Sequence, residues 1–84
     1  METKFPRRIE DFEFTARGCR TARKDRWTRI EFIAQASIWP LPGAEGQLQN
    51  FNNLGVFDTE DDAVRVATNY AEYWIRSEML KRKR

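Results

Sequence analysis

The sequence predicts an α+β fold: a three-stranded antiparallel β-meander with one long C-terminal helix packed on one face, in the order β-β-β-α and two layers. Three observations predict it. Residues 27–39 alternate for six full periods, with Thr28, Ile30, Phe32, Ala34, Ala36 and Ile38 at the even positions. Successive side chains of an extended chain point to opposite sides, so this run is a strand with one dry face. From Ala63 to Met79, apolar residues recur at three- and four-residue spacing, which is the period of a core-facing helix. Between them, Pro40-Leu41-Pro42-Gly43-Ala44-Glu45-Gly46 breaks any ladder and supplies turn geometry.

Residues 1–8 read as a flexible lead, with Phe5-Pro6 its only apolar element. The first strand follows Ile9 and covers residues 10–17, because Phe12, Phe14 and Ala16 share one side. Gly18 opens a polar connection through Arg26, and the second strand runs from Trp27 to Trp39. Closeness in sequence makes an antiparallel hairpin the simplest pairing. The third strand is placed within residues 47–57, with a bulge or a shift between two short strands at Phe51-Asn52-Asn53, where the parity breaks. The helix starts after Thr59, an N-cap with Asp62 as a shortened capping-box partner. Glu60, Asp61 and Asp62 complement the positive end of its dipole. Ala63, Val64, Ala67, Tyr70, Ala71, Trp74, Ile75 and Glu78 or Met79 form its inner stripe, and Asp61–Arg65 and Glu72–Arg76 are acid-first i,i+4 pairs. It extends to about Lys81. The expected core joins that stripe to Phe12, Phe14, Ile30, Phe32, Ala34, Ile38, Leu54 and Val56. One domain, residues 9–80, precedes a basic tail, residues 81–84.

Composition narrows the chemistry. A chain of 84 residues has room for one core, and 40% hydrophobic residues argue against disorder despite 33% charge. No histidine is present, which removes histidine-based triads and histidine metal sites. The single cysteine, Cys19, has no companion for a disulfide or a zinc site. The glycines at 18, 43, 46 and 55 are too scattered for a phosphate loop. The expectation is a non-enzymatic protein without cofactor or metal. With no secretory apolar region after Met1 and no membrane-length apolar run, it is expected in the cytoplasm and off the membrane.

Four groups of residues invite a functional reading. The odd positions of the second strand place Trp27, Ile33 and Trp39 among Arg29 and Glu31, on the sheet face that the helix leaves open. Tryptophan is enriched where protein interfaces are strongest, so this is a candidate surface for a homodimer or a protein partner. The competing reading has the Phe5 segment or the proline-rich loop folded over it. Arg17, Arg20, Arg23, Lys24, Arg26 and Arg29 stand against the single acid Asp25 within thirteen residues. Such a cluster suits a phosphate backbone, with Trp27 beside it to stack on a base. A solvated arginine-rich turn is the plainer account, since the net charge is only +2. The basic tail Lys81-Arg82-Lys83-Arg84 resembles a nucleic-acid or anionic-lipid tail, and also a helix end complementing its dipole. Capping accounts for Asp58, Glu60, Asp61 and Asp62 better than a cation site does.

Leu54-Gly55-Val56-Phe57-Asp58-Thr59-Glu60-Asp61-Asp62-Ala63, opening a helix that closes on Tyr73-Trp74-Ile75-Arg76, resembles a group of small bacterial proteins of unknown function. The likeness covers residues 12–76 and implies the β-β-β-α fold, with no activity or site attached. Gln35-Ala36-Ser37-Ile38-Trp39-Pro40 resembles the Ser-Leu-Trp-Pro segment of MbtH-like proteins, partners of adenylation domains in nonribosomal peptide synthesis. This second likeness stops there. The family's Pro-x-Gly-Trp is replaced by Pro42-Gly43-Ala44-Glu45, and its Asp-Met-Arg-Pro after the helix tryptophan is absent. The element order is also similar to the back half of a double-stranded-RNA-binding domain, but the acidic helix start opposes phosphate contacts there. The preferred expectation is a binding module using Trp27, Arg29, Glu31, Ile33 and Trp39. Nucleic-acid binding through the arginine-rich connection is the alternative.

Overall fold

The alternation around Phe12 and Phe14 produces a strand, and the computed structural model, which describes residues 5–21 and 30–82, places it second in the sheet. The elements are β1 (Arg7–Ile9), β2 (Phe12–Arg20), β3 (Phe32–Pro40), β4 (Gln49–Phe51), β5 (Val56–Phe57) and α1 (Glu60–Arg82). The antiparallel order is β1-β2-β3-β4, with β5 also on β3. The expected meander with one helix on one face is therefore the architecture.

Two strand boundaries differ from the sequence reading. Residues 10 and 11 form a tight turn, with Glu10 at φ 51, so β2 begins at Phe12 and continues to Arg20. Arg7 and Arg8, assigned to the lead, belong to β1 and lie opposite Phe14 and Glu13. Burial holds them: Phe5 and Ile9 pack against the core, and Arg7 Nη2 donates to Glu72 Oε2 at 2.9 Å. On the other strand, the ladder runs from Arg20 opposite Phe32 to Phe12 opposite Pro40. Residues 22–29, including the expected start of that strand at Trp27, lie outside the described residues.

The third strand divides in two. Moving three residues along β3, from Ala36 to Ile33, moves five along the partner, from Phe51 to Val56. The backbone stays satisfied across the excess, because Leu54 N–H donates to Ala34 C=O and Ala34 N–H to Gly55 C=O. An even excess preserves face parity, so Phe51 and Phe57 both turn toward the helix. Val56, expected in the core, pairs with Ile33 on the opposite face and is 47% exposed. Leu54 does pack on the core, whereas Ile30 is half-buried and outside its central cluster.

Thr59 caps α1 as expected: its Oγ1 accepts the Asp62 N–H at 3.1 Å. Ala63, Ala67, Ala71 and Ile75 are fully buried against Phe12, Phe14, Ala16, Ala34, Ala36 and Ile38. Three alanines along the inner stripe let the helix backbone approach the sheet closely. Gly18 lies against the start of the helix, where an added Cβ would be 3.0 Å from Ala63 Cβ. Trp74 closes the other flank, edge-on to Phe12 at 5.6 Å, while Tyr70 meets Phe51 at 5.0 Å. No helix among the described residues is long and apolar enough to cross a membrane.

Candidate functional site: the open sheet face

Because α1 covers one face of the sheet, the odd positions of β2 and β3 line the other. Register places Glu13 opposite Trp39, Thr15 opposite Ser37, Arg17 opposite Gln35 and Cys19 opposite Ile33. Trp39 Nε1 donates to Glu13 Oε1 at 3.1 Å, which fixes the half-buried indole against its cross-strand neighbour. Arg17 Nε donates to Gln35 Oε1 at 2.8 Å, and Gln35 Nε2 donates onward to Asn52 C=O at 3.1 Å. Ser37 Oγ donates to Asn50 Oδ1 at 2.8 Å. These bonds cross β2, β3 and the following chain in parallel rows.

The face has an apolar group at each end and a polar centre. Ile33, Val56 and Cys19 form one end. Trp39 stands at the other, six residues away along β3, or about 20 Å at the rise of an extended chain. Ile33 and Trp39 therefore share a face, as expected, but Gln35 and Ser37 divide them. Glu31 continues the ladder beyond β3, since its C=O accepts the Thr21 N–H at 2.9 Å. Trp27 and Arg29 lie outside the described residues.

The two described basic positions of the cluster diverge. Arg17 belongs to the open face, whereas Arg20, opposite Phe32, leaves β2 on the helix side. Arg23, Lys24, Arg26 and Arg29 lie outside the described residues. The connection that carries them leaves the sheet at the Gly18 end, where the acidic first turn of α1 also sits: the Glu60 C=O is 3.2 Å from a Cβ built on Gly18. The tail begins at the opposite end of the helix, about 33 Å away at 1.5 Å per residue. There Arg82 lies over the Phe12 ring at 4.9 Å and pairs with Glu78 at 3.6 Å. The last described residue before the connection, Thr21, and the described start of the tail, Arg82, thus lie toward opposite ends of α1.

Three contacts escaped the sequence reading. Glu72 pairs with Arg7 instead of Arg76, and Arg65 pairs with Asp62 instead of Asp61. No local signal joins Arg7 to Glu72, which are 65 residues apart. The Glu13–Trp39 bond was accessible in principle, because both residues sit at outward positions of adjacent strands.

For chemistry, the face offers a bound indole, amides, hydroxyls and one exposed thiol at Cys19. Among the described residues, no group of three metal-ligating side chains converges. A shallow depression of about 290 Å³ near the helix C-terminus is lined by Glu10, Arg76, Met79 and Leu80. No family model, curated protein or solved structure matches the chain.

Proposed function

We propose that the protein is a non-enzymatic binding module that receives a protein partner, a second copy included, on the open face of its sheet. The observation that carries this reading is the organisation of that face. Its side chains are tied across three strands, with Trp39 held by Glu13 and an apolar group around Ile33 and Val56. A face ordered in advance loses little conformational freedom on binding, and a tryptophan anchor supplies apolar area with a polar handle.

Phosphate-backbone binding through Arg17, Arg20, Arg23, Lys24, Arg26 and Arg29 ranks second. Arg17 and Arg20 diverge to opposite faces, the helix start adds acids at the same end, and the tail starts at the far end, with Arg82 over Phe12. Light scattering behind a sizing column, at ~50 and ~500 mM salt, separates the two readings. A dimer at both salts that Trp39→Ala converts to monomer supports the open face. A monomer that carries 260 nm-absorbing material only at low salt transfers the function to the arginine-rich connection. A monomer without cargo at either salt counts against self-association through this face and against the phosphate reading.

A further inference from the structure

Resting on the open face as a protein-binding surface, we propose that its occupant is a second copy of this chain, docked with the ends of the face exchanged. Two segments that compete to cover the face lie elsewhere. The Phe5 ring meets Phe14 edge-on at 5.8 Å, on the helix side of the sheet. A Cβ built on Gly46, in the proline-rich loop, would sit 3.0 Å from Arg82 and 3.4 Å from the Phe12 ring, also on the helix side. On the open face, Leu48 and Val56 are 57% and 47% exposed, and Cys19 is exposed.

The face reads the same from either end. Register gives four outward rows, which begin at Glu13, Thr15, Arg17 and Cys19 of β2. Trp39 stands in the first row, and Leu48, two residues before Asn50, extends it by strand alternation. Ile33 and Val56 stand in the last. Hydrogen-bonded polar side chains fill the two rows between. A two-fold axis lying in the face and across the strands exchanges first row with last and second with third. Apolar then meets apolar and polar meets polar, the self-match that a closed dimer requires.

Size and charge select this axis over one running along the strands. The latter sets Trp39 on Trp39 and Ile33 on Ile33, thick at one end and thin at the other. Exchanged ends set each indole against an isoleucine, which keeps the spacing of stacked sheets level at about 10 Å. Arg17 gives its Nε to Gln35 and is exposed. With the ends exchanged, it stands over Thr15 of the second copy, two residues from that copy's Glu13, whose Oε1 accepts from Trp39. The other axis puts it over the segment 50–52, which has no acid. Four rows across three strands span about 25 by 15 Å, so two copies bury on the order of 1,000 Å², the lower limit of a specific interface. Dissociation near ~100 μM is expected at that size.

The test is analytical sedimentation of the full chain from ~10 μM to ~1 mM, which brackets that dissociation constant. The chain passes from monomer to dimer over this range, whereas Trp39→Ala and Val56→Lys stay monomeric. Arg17→Glu alone and Glu13→Lys alone each set like charges across the interface and weaken dimerisation about tenfold, the effect of two exposed pairs. An equimolar mixture of these two variants restores it, because each mixed dimer carries two opposite-charge pairs. Arg65→Glu, the same charge change on the helix, leaves the dimer unchanged. A monomer at the highest concentration overturns the proposal and leaves the open face to a different partner. A dimer indifferent to both Trp39→Ala and Val56→Lys overturns the open-face reading as well. A dimer that those changes dissolve, but that mixing does not restore, overturns the exchange of ends.

Discussion

At the scale of single residues, the helix start and its contact with the sheet depend on two small side chains. The Thr59 hydroxyl satisfies the Asp62 N–H, one of the donors that the first helical turn leaves without a partner. Thr59→Ala should lower stability by about 1 kcal/mol, or about 4–8 °C in Tm for a domain of this size, measured by thermal unfolding followed by circular dichroism. An unchanged Tm would mean that water satisfies the Asp62 N–H equally well. Gly18 has a different duty, since an added Cβ would meet Ala63 Cβ at 3.0 Å and the Glu60 carbonyl oxygen at 3.2 Å. Backbone and a buried alanine cannot swing aside as a long side chain can. Gly18→Val should therefore destabilise by about 1–3 kcal/mol through overpacking, read from the urea midpoint. Valine favours strands by propensity, so a stabilised variant would show that the helix shifts freely over this strand.

At the scale of elements, α1 was the most legible part of the chain and the third strand the least. The helix is announced by local features: a cap, acids in the first turn and an apolar stripe within one continuous segment. All three act within a few residues. Its ion pairs were less legible, because i,i+4 spacing states which partners are near on the helix and omits those from other elements. Glu72 illustrates the difference, bonding to Arg7 of β1 in place of Arg76. Side-chain exposures of 40% and 21% keep this pair partly hydrated, so its coupling energy should not exceed about 1 kcal/mol in a double-mutant cycle with Arg7→Ala and Glu72→Ala. That coupling should shrink in ~500 mM salt. A larger, salt-independent value would indicate that the pair fastens β1 to the helix more strongly than its exposure allows. The break near Phe51 was visible as lost alternation, but its size was not. Assigning Val56 to the core placed it on the wrong face, because only the pairing with Ile33 reveals that the excess is two residues.

At the scale of the whole molecule, one small core joins every element. Phe12, Phe14, Ile38 and Ile75 are its largest fully buried side chains, and no second cluster shares the load among the described residues. Ile38→Ala should cost about 2–5 kcal/mol, a large share of the stability of a domain this small. Chemical denaturation should show a single transition displaced to lower denaturant, and two separate transitions would contradict a single core. The candidate sites divide by the same geometry. Strand alternation alone placed Ile33 and Trp39 on the uncovered face, since side-chain parity is a local property of extended chain. It could not show that Gln35, Ser37, Asn50 and Asn52 form a bonded polar centre between them, because that depends on register across three strands. Nor could it show that Thr21, where the connection begins, and Arg82, in the tail, lie toward opposite ends of α1. By itself, the sequence determined the antiparallel meander followed by one helix, the helix cap, and the inward face of the central hairpin. Each follows from interactions within a few residues and from the hydrophobic period. Tertiary structure alone decided the partner of Glu72, the face of Val56 and the division of the third strand into β4 and β5. Those depend on which distant backbone groups pair, and hydrogen bonding between peptide groups carries no signature in side-chain identity.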